Sequence, residues 1–130
     1  MFTKTKSFMI AALVTAFLPL SAQAAGLTIK NDTDKDSTSV INNGACSTIL
    51  GESGITRAHT EKTVPEYKIR IACMRHSHDC KADVYMSDNC KGPVVAKVTF
   101  DVSTGIKNVE NLGLGYKISA SGFKATISQG

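Results

Sequence analysis

This chain of 130 residues lacks any cluster of lysine or arginine, and that absence argues against nucleic acid as its main partner. Its 15 basic residues are interspersed with 11 acidic ones, for a formal charge of +4. Nucleic-acid-binding domains instead gather their basic residues into a patch or stripe. Internal repeats and low-complexity tracts are also missing after the first 24 residues, which favours one ordinary globular domain.

No cysteine precedes Cys46, so a lipid-anchored N-terminus is excluded. The first residues have the three parts of a secretory signal: a basic start at Lys4 and Lys6, an apolar stretch over 8–20 and a small-x-small site at 22–24. The apolar stretch is too short to read as a spanning helix. We therefore predict a signal peptide over 1–24, a single domain over 25–130 with a charge of +2, no membrane association after cleavage, and a secreted or periplasmic location.

A helical repeat of apolar residues is also missing after the leader, which predicts few or no helices. Apolar and polar residues alternate instead, as in strands with one buried face. The clearest strand covers 94–102, and six more are predicted at 27–30, 37–41, 66–73, 80–86, 114–120 and 123–127. Residues 106–112 are a loop or a short strand. About seven strands joined by turns predict an all-β, disulfide-stabilised antiparallel β-sandwich.

The four cysteines of an exported chain predict two disulfides. In the predicted strands 66–73 and 80–86, Cys73 and Cys80 share the parity of the apolar residues, so the strands form a hairpin with both sulfurs facing inward. This favours pairing Cys73 with Cys80 and Cys46 with Cys90. The rival pairing, Cys46 with Cys73 and Cys80 with Cys90, stays open.

No recognisable catalytic or cofactor motif is present, so we expect neither an enzyme nor a cofactor. The sequence lacks Gly-x-Ser-x-Gly, and residues 51–54 lack the strand-turn-helix setting that exposes a catalytic serine. Residues 113–115 lack the third glycine and the helix of a phosphate-binding loop. A small hydrolase is therefore only the third hypothesis for function.

The second hypothesis is a zinc or copper site in the loop between Cys73 and Cys80. His76 and His78 are two residues apart and face the same way in an extended backbone, and Asp79 could join them. Cysteine ligands would need free thiolates, which are rare after export. A site of histidines with Asp79 or His59 avoids that objection but would be weak.

The leading hypothesis is a binding module that presents loops from a rigid β frame to an unknown protein partner in a host or the environment. Residues 45–64 have no regular period, and such long loops are often where binding occurs. The loop over 74–79 is the second candidate surface. Together these loops supply the candidate polar contacts, which are Arg57, His59, Arg75, His76 and His78.

The chain resembles small, poorly characterised exported proteins of gram-negative bacteria. The resemblance rests on the signal, on an early Asn-Asp-Thr turn at 31–33 and on the segment CKADVYMSDNCKG at 80–92, and it extends loosely over the whole domain. It implies release to the periplasm or the medium, with type II secretion as a route. It carries over no functional residue.

Overall fold

The computed structural model describes residues 26–130, so the predicted signal peptide lies outside the described residues and its cleavage after Ala24 stays a prediction. The described chain forms eight strands, one α-helix and one 3₁₀ segment. In chain order these are β1 (Gly26–Asn31), β2 (Thr38–Ile41), the 3₁₀ segment (Ser47–Gly54), β3 (Thr60–Pro65), α1 (Glu66–Ala72), β4 (Cys80–Tyr85), β5 (Val94–Asp101), β6 (Gly105–Asn111), β7 (Tyr116–Ser121) and β8 (Lys124–Gln129).

Two four-stranded sheets face each other, in the strand orders β3-β1-β8-β7 and β2-β4-β5-β6. Neighbouring strands are antiparallel except β1 and β8, which are parallel. One buried cluster joins Val84 and Ala96 of one sheet to Ile118 and Ile127 of the other. The prediction of an all-β, disulfide-stabilised sandwich is confirmed, with eight strands rather than seven.

The predicted strand over 66–73 is wrong, because these residues form helix α1 and the hairpin around the Cys73–Cys80 loop does not exist. Pro65 directly precedes the helix, a place where its missing N–H removes no helical hydrogen bond. Glu66 and Arg70 then form an ion pair four residues apart. Ile69 and Cys73 are buried on the inner side of the helix, and Cys73 N–H donates to the Ile69 carbonyl. The spacing of these two residues is also that of one helical face.

The long stretch without period, residues 45–64, is more ordered than a loop. The Ser47 hydroxyl donates a 2.6 Å hydrogen bond to the Gly54 carbonyl and closes the 3₁₀ segment on itself. Strand β3 then pairs antiparallel with β1, with Thr63 opposite Thr28. Strand β3 is an edge strand with charged residues, so its sequence shows little of the alternation that marks a half-buried strand.

Candidate functional site

Two disulfides hold the segments that connect the sheets. Cys46–Cys90 joins the start of the 3₁₀ segment to the β4–β5 connection, and Cys73–Cys80 joins the end of α1 to the first residue of β4. This is the pairing that the sequence favoured, although the inward parity behind that preference belonged to a hairpin that does not form. All four cysteines of the chain are oxidised. The hypothesis of a metal site with cysteine thiolate ligands is therefore wrong.

The loop over 74–79 is held against the β5–β6 turn. His78 Nδ1 lies 3.1 Å from Asp101 Oδ2, and the Lys107 ammonium donates a 2.9 Å hydrogen bond to the His78 carbonyl. The backbone N–H of Ser103, and to a smaller extent the His78 ring, lower the pKa of Asp101. Asp79 forms an ion pair with Lys81 at 3.0 Å, which lowers the pKa of Asp79. The loop has fixed geometry although its side chains are exposed.

The histidines of this loop do not assemble a metal site. Within residues 26–130 no three histidine, cysteine or acidic side chains are grouped as ligands, so His76, His78 and Asp79 do not converge. Among the same residues, the side chains of Arg75 and His76 form neither a hydrogen bond nor an ion pair. They remain exposed polar groups beside helix α1.

Arg57 and His59, the candidate contacts of the long loop, are paired inside the molecule. The Arg57 guanidinium contacts Glu52 at 2.6 Å and Asp36 at 2.9 Å. This pairing raises the pKa of Arg57, chiefly through Glu52, and lowers the pKa of Glu52. His59 Nε2 lies 2.8 Å from Asp34 Oδ1. The structure thus assigns these two residues to a network that fixes the β1–β2 turn, apart from the loop over 74–79.

The last residue of β1, directly before that turn, has a buried amide. Asn31 is 0% exposed, and its Nδ2 group donates to the carbonyls of Lys35 and Thr56 at 2.7 and 3.1 Å. Its Oδ1 accepts hydrogen bonds from the backbone N–H and the hydroxyl of Thr33. All four bonding positions of the amide are therefore used. The Asn31 side chain therefore holds the Asn-Asp-Thr turn in place, which is a structural role.

An exposed apolar stripe on α1 and the turn after it is the surface that the sequence interpretation missed. Tyr67, Ile71 and Met74 are 61%, 60% and 64% exposed. They are spaced i, i+4 and i+7, which places them on one side of a helical turn, opposite Ile69 and Cys73. We call these three residues the α1 face. A helical reading of 66–74 would have found this stripe, but the period of two in the same residues pointed to a strand.

The described residues do not contain a helix of the length and apolar character needed to cross a membrane. The side-chain partners of the histidines and serines bear on the hydrolase hypothesis. Within 26–130, the His59 and His78 rings are hydrogen-bonded to aspartates, and serine hydroxyls bond to backbone groups or to Lys68 rather than to a histidine. The Ser–His contact that activates a serine nucleophile is absent from this part of the chain.

Taken together, the fold, its two disulfides and the solvent-facing loops define a small disulfide-bonded β-sandwich of the exported class. The whole chain, residues 1–130, matches the family model described as T2SS substrate NttC. The protein therefore belongs to the NttC family of type II secretion system substrates. It is a secreted protein that is exported through the periplasm, as the resemblance to exported bacterial proteins implied.

A solved structure supports the same assignment. The chain is similar to the Legionella pneumophila type II secretion system substrate NttC, with 26% sequence identity and a TM-score of 0.67. The match covers 82% of this chain and 98% of that chain. No curated protein matches the sequence.

Proposed function

We propose that the protein is a secreted binding module that docks a protein partner through the α1 face and the loop over 74–79. The observation that carries the proposal is the exposure of Tyr67, Ile71 and Met74 on one side of the helix and the turn after it. Exposed apolar residues gathered at one place on a soluble protein mark interaction sites more often than single scattered ones do. Burying the three side chains against a partner would remove a large apolar area from water.

The residue types around the α1 face suit a protein interface. Tyrosine, methionine and arginine are enriched at the centres of protein interfaces, and tyrosine and arginine frequently carry most of the binding free energy. Arg70 lies on the same helix in an exposed ion pair with Glu66, and Arg75 follows the helix without a charged partner in the described chain. We infer an apolar contact flanked by hydrogen bonds from Arg75 and His76.

The residues that hold the α1 face in place are already ordered before binding, and this favours tight binding. Ile69 anchors the inner side of α1 in the core, and the Cys73–Cys80 disulfide holds the end of the helix on β4. The backbone N–H of Val102 donates a 2.7 Å hydrogen bond to the Ser77 carbonyl and fixes the following loop. A surface that is ordered before binding loses less conformational entropy on association.

We also propose that the protein does not act by catalysis. In addition, we propose that the side chains of Arg57, His59 and His78 do not contact the partner. Their side chains already have acidic partners, and a partner protein would have to break those interactions to use them. A His–Asp pair whose ring forms no hydrogen bond with a serine hydroxyl of the described residues supports an architectural role better than a hydrolytic one.

Partner capture tests the proposal directly. Tagged protein is incubated with host-cell lysate and culture medium, and bound proteins are identified by mass spectrometry. The variant Tyr67→Ser/Ile71→Ser/Met74→Ser is expected to lose at least about ten-fold of the captured partner. The control Leu112→Ser/Leu114→Ser, which alters exposed apolar residues in the β6–β7 connection, should capture it normally. Equal capture by both variants would reject the α1 face.

A further inference from the structure

The interior of the sandwich contains an apolar cavity of about 150 Å³. Side chains from both sheets line it, among them Ile29, Ile118 and Ile127 on one side and Ile41, Val98 and Phe100 on the other. A cavity of this volume lined by leucine, isoleucine and phenylalanine can stay dry and bind a molecule of the size of benzene. The space is therefore large enough for a small apolar group.

The surface exposed in the cavity is mainly apolar, and several polar side chains of its wall bond to other groups of the protein. The hydroxyls of Ser37 and Thr38 donate to the carbonyls of Tyr85 and Ser87, and the hydroxyl of Ser47 donates to that of Gly54. Within residues 26–130 every buried side-chain nitrogen or oxygen has a hydrogen-bond partner. Because a buried water needs two to four polar partners, this wall favours an apolar occupant over water.

A lysine lies at the end of the cavity that is formed by α1 and the 3₁₀ segment. The Lys68 ammonium donates a 2.7 Å hydrogen bond to the Ser53 hydroxyl, which itself donates to the Leu50 carbonyl. All three residues line the cavity and are half-buried, so this end of it is partly accessible to solvent. Lys68 forms no ion pair with an acidic group of the described chain. Of its three N–H donors, one contacts Ser53 and two remain.

We propose that this cavity binds a small amphiphile with an anionic head, such as a carboxylate, and an apolar tail of about five carbon atoms. The tail occupies the space between the sheets, and the head accepts charge-assisted hydrogen bonds from Lys68. The cavity size and apolar wall select the tail, and the Lys68 ammonium, which has no acidic partner in the described chain, selects the charge of the head. This site is separate from the exposed α1 face and does not depend on partner docking.

Methyl-resolved NMR titration with hexanoate tests the proposal on the intact protein. Saturable shifts are expected at the cavity methyls of Leu50, Ile69 and Ile118 but not at exposed Leu112. Acetate, which has the head alone, should not bind. The neutral analogue 1-hexanol, which has the tail alone, should bind about five-fold more weakly or worse, because it lacks the charge-assisted contact.

Two variants separate the head contact from the cavity. Lys68→Gln should reduce hexanoate affinity at least about five-fold and leave 1-hexanol affinity unchanged, whereas the exposed control Lys117→Gln should change neither. Ala72→Leu, which adds bulk to the lining, should weaken both ligands. Equal affinity for hexanoate and 1-hexanol in the unaltered protein would overturn the proposal, as would shifts that do not saturate or that appear only at surface methyls.

Discussion

The Arg57 guanidinium lies 2.9 Å from the Asp36 carboxylate and joins the segment before β3 to the β1–β2 turn. The same carboxylate accepts a 2.9 Å hydrogen bond from the backbone N–H of Ala58. Both interactions favour the ionised form and lower the pKa of Asp36, and the bond from Ala58 is the larger cause. This pair ties two connections together across 21 residues of sequence.

The Asp36 contacts predict a loss of stability in acid. Because the pKa of Asp36 is lower in the folded than in the unfolded state, its contribution is present above the unfolded value and is lost as pH falls through the lower folded value, below about pH 4. Asp36→Asn should cost about 1 kcal/mol at neutral pH, and the difference from the unaltered protein should shrink in acid. Urea unfolding at several pH values measures this.

The matched control for this measurement is Asp88→Asn, at an exposed aspartate without a side-chain hydrogen bond to the described residues. It should follow the pH curve of the unaltered protein. A constant gap between the Asp36→Asn curve and that of the unaltered protein across the acid range would contradict the assigned role of the carboxylate.

Ile69 and Ile71 test the helix directly, because a strand would place them on one face and a helix separates them. Ile69 is 8% exposed and Ile71 is 60% exposed. Ile69→Ala should destabilise the protein by about 2–4 kcal/mol, whereas Ile71→Ala should change stability by less than about 0.5 kcal/mol. Chemical denaturation gives both values. Similar losses for the two variants would favour the strand.

We expect that the protein does not tolerate even an isosteric replacement of the Asn31 amide. Asn31→Asp replaces two N–H donors with a carboxylate that faces the carbonyls of Lys35 and Thr56, so we expect a loss of about 3 kcal/mol at neutral pH. Protonation should return part of it in acid. The exposed control Asn43→Asp should be nearly neutral in urea unfolding. A neutral result for Asn31→Asp would show that water reaches this site.

The two disulfides should separate stability from docking. Loop-closure entropy predicts losses of up to about 4 kcal/mol for Cys46→Ala/Cys90→Ala and about 2.5 kcal/mol for Cys73→Ala/Cys80→Ala. Only the second pair holds α1. We therefore expect thermal denaturation to show the larger loss for the first variant and partner capture to show the larger loss for the second. The reverse order in capture would disconnect the α1 face from docking.

Much of the sandwich could be predicted because its strands bury one face each. The alternation over 94–102 and 80–86 leaves a strand as the simple way to place every second residue in the core, and β5 and β4 lie there. Export was also readable in advance, since the NttC family match confirms the class of secreted protein that the chain resembled. These features depend on local sequence, so they could be predicted without the structure.

The residues 66–73 carried two periods at once, and only packing in three dimensions could choose between them. A spacing of two suited a strand, and the spacing of Ile69 and Cys73 suited a helix; the helix forms where β3 ends and packs Ile69 on Phe100 and Val102. Likewise, Arg57 looked available for binding because its partner Asp36 is distant in sequence.

Local sequence pattern thus determined the strands and the exported class. The tertiary structure decided the helix, the ion-pair network and the exposed α1 face, because these depend on contacts between distant segments.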